Sequence, residues 1–283
     1  MIRPFKFAAL MLACFFATSA QSQAKDLLEE IKERGEIVIA TEARFAPFEM
    51  LKQGKIVGYG KDLLDEILKD LPGVKLKQLD LPYQGILAGL VAKRYDFVCT
   101  SLTITKERAA KYAFTLPIST ASLTIVKRTG DDAIKSAEDM AGKIIGIQAG
   151  ATPYFNALKN YENEVLKPKA GKGVDKLMEF VSYDDAYAAL AGRRVDAVVN
   201  TVPNIAPLVK ERADVFEIIL PAFGPPSYFA WAGRKDEASN SLVQFFSDGI
   251  RKLDDNGKLK ELQMKWFGFT MDLPLDKVPE PVN

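Results

Sequence analysis

The sequence predicts an α/β protein built from two similar lobes, and three observations carry that prediction. Short β-rich runs alternate with helical runs, the alternation restarts near the middle of the chain, and a stretch of the first half lies over the second without a gap. Alternation of this kind gives a parallel sheet flanked by helices. "EIVIAT" (36–41) reads as a strand. In "KDLLDEILKDL" the residues Leu63, Leu64, Ile67, Leu68 and Leu71 share one helical face, and Pro72-Gly73 stops the run. "KLKQLDL" is a strand, "YQGILAGLVAKR" a helix and "YDFVC" a strand, and a helix carrying Arg108 follows. The second round reads "KIIGIQ", a helix from Pro153, "EFVSY", "DDAYAALAGRR", "VDAVVN" and "PNIAPLVKER".

The restart extends to residue identity. "YQGILAGLVAKRYDFVCT" (83–100) matches "YDDAYAALAGRRVDAVVN" (183–200) at Tyr83/Tyr183, Leu90/Leu190, Arg94/Arg194 and Asp96/Asp196. Two similar α/β lobes are the simplest reading, and chance likeness between two helix–strand units is the alternative. On the first reading Asn200 and Thr201 occupy in the second lobe the place of Thr100 and Ser101 in the first. Both pairs then sit at the carboxyl end of a parallel strand, where open α/β sheets bind ligands.

Arg108, in "CTSLTITKERAAKYAF" (99–114), falls in the first turn of its helix. The exposed N–H groups there already carry about half a positive charge, so a cation is disfavoured unless an anion is near. Either Arg108 is a solvated surface residue, paired with Glu107 or another acid, or it waits for an anionic ligand. "GIQAGATPYF" offers a second helix start, with Thr152 as N-cap and Pro153 at the first helical position. Two helix starts facing one cleft, with an arginine added, suit a carboxylate held through two parallel hydrogen bonds.

Arg3 and Lys6 precede the apolar run "FAALMLACFFATSA", and small residues follow at Ser22 and Ala24. This is the pattern of a secretory signal peptide cleaved after Ala24, its core too short to span a bilayer. "LAC" at Leu12–Cys14 is a weak lipoprotein-like alternative. The whole chain carries 38 Lys and Arg against 37 Asp and Glu, and the leader holds two of the bases and none of the acids. The mature chain is therefore near neutral, which excludes nucleic acid and anionic membrane as expected partners. Cys99 is the one cysteine left, so no internal disulfide is possible, and the absence of histidine removes the commonest general base and zinc ligand.

In combination these segments resemble the extracytoplasmic solute-binding proteins of ABC importers for polar amino acids and related compounds. The similarity runs from "IVIATEARFAPFEM" through "GKIVGYGKDLLDEIL", "YDFVCTSLTITKERAAKYAFTLPI", "GKIIGIQAGAT" and "GRRVDAVV" to "DDNGKLKELQMKWFG". The resemblance implies a two-lobed periplasmic-binding-protein fold of type II, two Rossmann-like lobes joined by two crossover strands. The crossings are expected near residues 126 to 130 and 222 to 228, giving lobe 1 from 25–127 plus 226–283 and lobe 2 from 128–225. Ligand binding in such proteins closes the lobes about a hinge.

The resemblance also implies roles. Arg108 matches the arginine that grips the ligand carboxylate, with Thr152 its helper on lobe 2. Thr100, Ser101 and Thr103 match the hydrogen-bonding positions for the polar head, and Gln148 lies in the matching strand end of lobe 2. Phe45 and Tyr83 match an aromatic pair around the ligand body, and Glu42 matches an acid that pairs a ligand's far positive group. For Phe45 and Tyr83 core packing is the competing reading, and for Glu42 solvation.

Two departures stand out. "GYGKDL" replaces the family's usual "GFDVDL", and the strand that usually ends in an ammonium-pairing aspartate ends here in Asn200 and Thr201. A buried ammonium without a carboxylate is costly, so neutral groups there argue against a strict receptor for free α-amino acids. The expectation is a binding protein, without cofactor or metal and monomeric. It takes an amino acid, opine or ectoine-like solute with a carboxylate and a positive nitrogen, and delivers it to an inner-membrane permease. The alternatives are an enzyme resembling cyclohexadienyl dehydratase, with Glu42 the one acid available, and a secondary sensory role.

Overall fold

The computed structural model describes residues 25 to 282, so the expected leader, Cys14 included, lies outside the described residues. Asp26 caps α1 (Leu27–Arg34) by accepting from Glu29 N at 3.1 Å, and Gly35 closes it in the left-handed conformation. β1 (Glu36–Thr41) follows, then a small antiparallel sheet of β2 (Arg44–Phe45), β3 (Glu49–Lys52) and β4 (Lys55–Val57). α2 (Tyr59–Leu68), β5 (Lys75–Asp80), α3 (Ile86–Val91), β6 (Phe97–Thr103), α4 (Lys106–Lys111), β7 (Tyr112–Phe114) and β8 (Ser119–Thr120) complete the first half. The second half runs β9 (Leu123–Arg128), β10 (Ile144–Gln148), α5 (Thr152–Tyr161), α6 (Lys167–Ala170), β11 (Lys176–Phe180), α7 (Tyr183–Ala191), β12 (Ala197–Thr201), α8 (Val202–Glu211) and β13 (Phe216–Phe223). β14 (Tyr228–Arg234), α9 (Asn240–Asp255) and α10 (Lys258–Phe267) close the chain.

Two sheets result, each the centre of a lobe. The first has the order β5-β1-β6-β14-β7, with β8 also on β14, and the second β11-β10-β12-β9-β13. β1 is parallel to β5 and β6, as β10 is to β11 and β12. In each sheet the fourth place is taken by an antiparallel strand, β14 or β9, that arrives from the other lobe. This is the two-lobed α/β architecture that the alternation predicts.

The matched residues of the repeat do the same work in both lobes. Asp96 N donates to Val38 O and Asp196 N to Ile144 O, each at 2.8 Å. Their carboxylates accept in return from Val38 N at 2.7 Å and Ile144 N at 2.8 Å. Lys93 (φ 56°) and Arg193 (φ 61°) make the same left-handed step before the strand. Each Asp thus fixes a central strand against its neighbour, which explains why it recurs at that spacing.

The structure corrects one boundary. The sequence places the first crossing at 126 to 130, but all of β9 pairs with β12 and β13 in the second sheet. The chain therefore crosses upstream, at Ala121-Ser122, because Leu123 onward is needed to complete the ladder beside β12. There the two crossing segments bond to each other: Ala121 N donates to Ser227 O at 2.7 Å and Ser227 Oγ to Ala121 O at 2.9 Å.

α2 buries Leu63, Leu64 and Ile67 with Ile37, Ile39, Phe97 and Phe246. Each such side chain contributes about 1.5 to 3 kcal/mol, so this face anchors the helix to the first sheet. Gly58 (φ 134°) makes the close turn into α2, where a Cβ would lie 2.2 Å from Phe48 O. Among the described residues no helix is long and apolar enough to cross a membrane, and no metal-binding cluster of His, Cys, Asp or Glu is present.

Candidate functional site

The carboxyl ends of β1, β6, β10 and β12 meet between the lobes. Thr41 Oγ1 donates to Cys99 O at 2.8 Å and locks the ends of β1 and β6 together. Asp80, at the end of β5, accepts from Ala43 N at 3.0 Å and so sets the turn that carries Glu42. The lobes touch across this cleft. Gln148 Nε2 donates to Glu42 Oε1, Asn204 Nδ2 donates to Ala46 O at 2.9 Å, and the Phe45 and Tyr183 rings lie 5.7 Å apart.

Arg108 is buried, and its guanidinium meets only neutral acceptors, Thr103 O at 3.2 Å and Tyr83 Oη at 2.9 Å. Glu107, the acid that could have paired with it, instead bonds Lys111 at 2.9 Å. Among the described residues no carboxylate lies within 4.0 Å of Arg108. Thr105 caps α4 by accepting from Arg108 N at 3.2 Å, and this places the side chain. The carboxyl-terminal tail holds the same turn, with Lys106 N donating to Val282 O at 2.8 Å. A buried cation without a counter-ion is costly. It sits on a cavity of about 270 Å³ shared with Tyr83, Gly150, Thr152 and Asn156, room for a small solute.

Two further acids of lobe 1, outside the lining of that cavity, are buried. Glu42 is 2% exposed with Oε2 unpartnered, and burial raises its pKa to about 8 against the lowering effect of the Gln148 bond. Glu49, also buried, has both carboxyl oxygens unpartnered. Burial, followed by the neighbouring Glu42, pushes it well above the usual carboxylate range. The hydroxyls of Thr100 and Ser101 are buried too, without a well-formed partner, and Thr100 stands close enough to Glu49 to oppose the effect of burial on it. Carboxyl oxygens and hydroxyls without donors suit a ligand that brings positive N–H groups.

Glu49 is a residue that sequence reasoning missed, although a signal was available in "GYGKDL". A Cβ on Gly60 would lie 1.9 Å from Glu49 Oε1, so the glycine is what admits the carboxyl. Tyr183 was visible only as the repeat mate of Tyr83; its ring is buried against Phe45 and Tyr187.

Other expected residues are placed differently. Thr152 is the first residue of α5, not its cap; Ala151 takes the cap position, because the turn at Ala149-Gly150 starts the helix one residue earlier. Thr152 remains exposed on the Arg108 cavity. Phe45 does not pair with Tyr83; it packs on Phe48, Tyr183 and Phe229, while Tyr83 stands beside Arg108. Thr103 gives its carbonyl to Arg108 and lines a groove of about 560 Å³ beside the crossing strands. Asn200 turns into lobe 2, donating to Tyr187 Oη at 2.8 Å and accepting from Thr201 N at 2.7 Å. Thr201 donates to Asn204 Oδ1 at 2.5 Å.

Residues 37–269 match the family model described as bacterial extracellular solute-binding proteins, family 3. The chain belongs to this family. It is 30% identical to the L-cystine-binding protein TcyJ of Escherichia coli K12 over 247 residues, 86% of each chain. It is 26% identical to the arginine-binding extracellular protein ArtP of Bacillus subtilis over 260 residues, 91% of this chain and 96% of that one. Among solved structures, an ancestral arginine-binding protein bound to arginine is 31% identical with a TM-score of 0.71, covering 83% of this chain and 99% of that one. An ancestral amino-acid-binding protein described as a precursor of cyclohexadienyl dehydratase is 28% identical with a TM-score of 0.73, covering 85% and 99%. The family 3 protein is a solute-binding protein.

Proposed function

We propose that this family 3 protein captures a small solute with a carboxylate at one end and a positive nitrogen at the other, closing its lobes by a hinge motion. The single observation that carries the reading is the pairing of opposites left open in the cleft. Arg108 has no anion, and Glu42 and Glu49 have no cation. A ligand bearing both charges satisfies both sides. Relatives that bind arginine and cystine support an amino-acid ligand, and of these arginine has the side-chain cation that the acids call for. Opines and ectoine-like solutes share the charge pattern. The lobes divide at Ala121-Ser122 and again between Phe223 and Tyr228, and the closed ligand is handed to an inner-membrane permease from the periplasm, which the mature monomer reaches after leader removal.

Titration calorimetry with basic, neutral and acidic amino acids, an opine and ectoine tests this on the wild type and on Glu42→Gln. Cationic ligands should lose more than about 1.5 kcal/mol in the variant and neutral ones far less. Equal binding of all ligands by both proteins would defeat the reading. A dehydratase reading rests on Glu42, since an acid that holds its proton near pH 7 can protonate a leaving hydroxyl. Binding of a cyclohexadienyl carboxylate without turnover decides for transport.

A further inference from the structure

At the position where the resemblance expects an ammonium-binding aspartate, the chain has built a polar contact between the lobes. Thr201 Oγ1 donates to Asn204 Oδ1 at 2.5 Å, and Asn204 Nδ2 donates to Ala46 O at 2.9 Å. Thr201 and Asn204 are 0% and 3% exposed, so water does not compete for these bonds. A carbonyl only accepts. The amide must therefore present its NH₂ to Ala46 and its oxygen to Thr201, whose hydroxyl has to donate. Each atom has one role, and Thr201 fixes the amide from behind.

Both ends are held. Val202 N donates to Ser122 O at 3.1 Å, which ties the start of α8 to the crossing segment. On the other lobe, Phe48 N donates to Phe45 O and Tyr59 N to Pro47 O, both at 2.9 Å, so the loop carrying Ala46 is braced from each side. With neither end free to follow the other, the bond exists only while the lobes are together. A second polar bond across the cleft, Gln148 to Glu42, uses an acid that a cationic ligand would claim. Asn204 to Ala46 has no charged member.

We infer that Asn204 is a positioning residue for capture: it holds the lobes closed through Ala46 without touching the ligand, and Thr201 orients it for that task. The inference rests on the hinge-closure part of the proposed function and is independent of the ligand's charge. Its contribution is the same for every ligand the closed form accepts.

The test uses the mature chain, residues 25 to 283, as wild type, Asn204→Ala and Thr201→Val. Small-angle scattering at pH 6 without ligand should give a larger radius of gyration for both variants. L-Arginine and L-cystine serve as calorimetric probes, and the affinity of each probe that binds should fall by the same factor, roughly three- to tenfold for one buried hydrogen bond. A ligand-free radius unchanged in both variants overturns the inference. So does a loss confined to one of two binding probes, because Asn204 would then be touching that ligand. If Asn204→Ala fails to fold, Thr201→Val reads the same quantities with Asn204 in place. Arg108→Ala should weaken binding by roughly thirtyfold or more while leaving the ligand-free radius unchanged, so the proposed function and this inference fail separately.

Discussion

Raising the pH should open the ligand-free protein, and Glu42 should be the cause. Its carboxyl is 2% exposed in the closed cleft, and burial raises its pKa from 4.5 to about 8. Below about pH 4.5 the carboxyl is protonated whether the cleft is open or closed, and closure costs nothing extra. Between 4.5 and 8 the closed form holds a proton that the opened, hydrated form releases. The closed form binds more protons, so its stability relative to any form that exposes Glu42 falls as pH rises, by about 1.4 kcal/mol per pH unit. Over the whole interval the loss is roughly 5 kcal/mol as an order of magnitude, larger than the hydrogen bonds across the cleft can offset. Glu42→Gln keeps the acceptor for Gln148 and removes the titration. Scattering from pH 5 to 9 should show the wild-type radius of gyration rising while that of Glu42→Gln stays flat. A flat wild-type curve, or a variant that follows the wild type, would refute the assignment to Glu42.

Arg108→Ala should weaken carboxylate ligands by roughly 2 to 5 kcal/mol with the fold intact, and Arg108→Lys should not restore them because a point charge lacks the planar fork. Wild-type affinity for a folded Arg108→Ala protein, measured by calorimetry, would remove the anion site. Gly58→Ala should destabilise the protein by several kcal/mol, because its Cβ would meet backbone Phe48 O at 2.2 Å and φ is 134°. Gly60→Ala should cost far less, since the atom it meets is the movable end of Glu49; equal urea midpoints for the two variants would contradict this. Thr201→Asp gives the cleft an ammonium partner but has no proton for Asn204 Oδ1, so it should open the ligand-free lobes instead of simply favouring free α-amino acids. Tighter binding of glutamine with no change in ligand-free radius would show the opposite.

Much of the fold was legible because it depends on local pattern. Leu63, Leu64 and Ile67 reveal their helix through spacing alone, and the recurrence of Asp96 as Asp196 reflects one repeated task, holding a central strand to its neighbour. The first crossing was not legible. β9 is buried on both faces, as any central strand would be, and nothing in "LTIVKR" says which sheet it completes. The start of α5 was off by one residue for a similar reason: Ala151 and Thr152 both fit the first turn, and the decision lies in the backbone of the Gly150 turn.

Charge was easier to read from the sequence than contact. That Arg108 is out of place in its helix can be inferred from position alone, and the structure shows it buried without an acid. The neutral pair Asn200-Thr201 likewise says that these two positions do not neutralise a ligand cation. Where that charge goes instead depends on which side chains share a space, and Glu49 shows why this escapes a linear reading. Its carboxyl fits where it does only because Gly60, eleven positions on and in another element, lacks a Cβ. On the proposed function, Glu42 and Glu49 put the acids for the ligand's positive end on lobe 1, with Asp184 of lobe 2 near enough to Glu42 to raise its pKa. Closure then does not have to bring opposite charges together across the cleft, and uncharged contacts such as Asn204 to Ala46 can hold the lobes whatever the ligand's side chain.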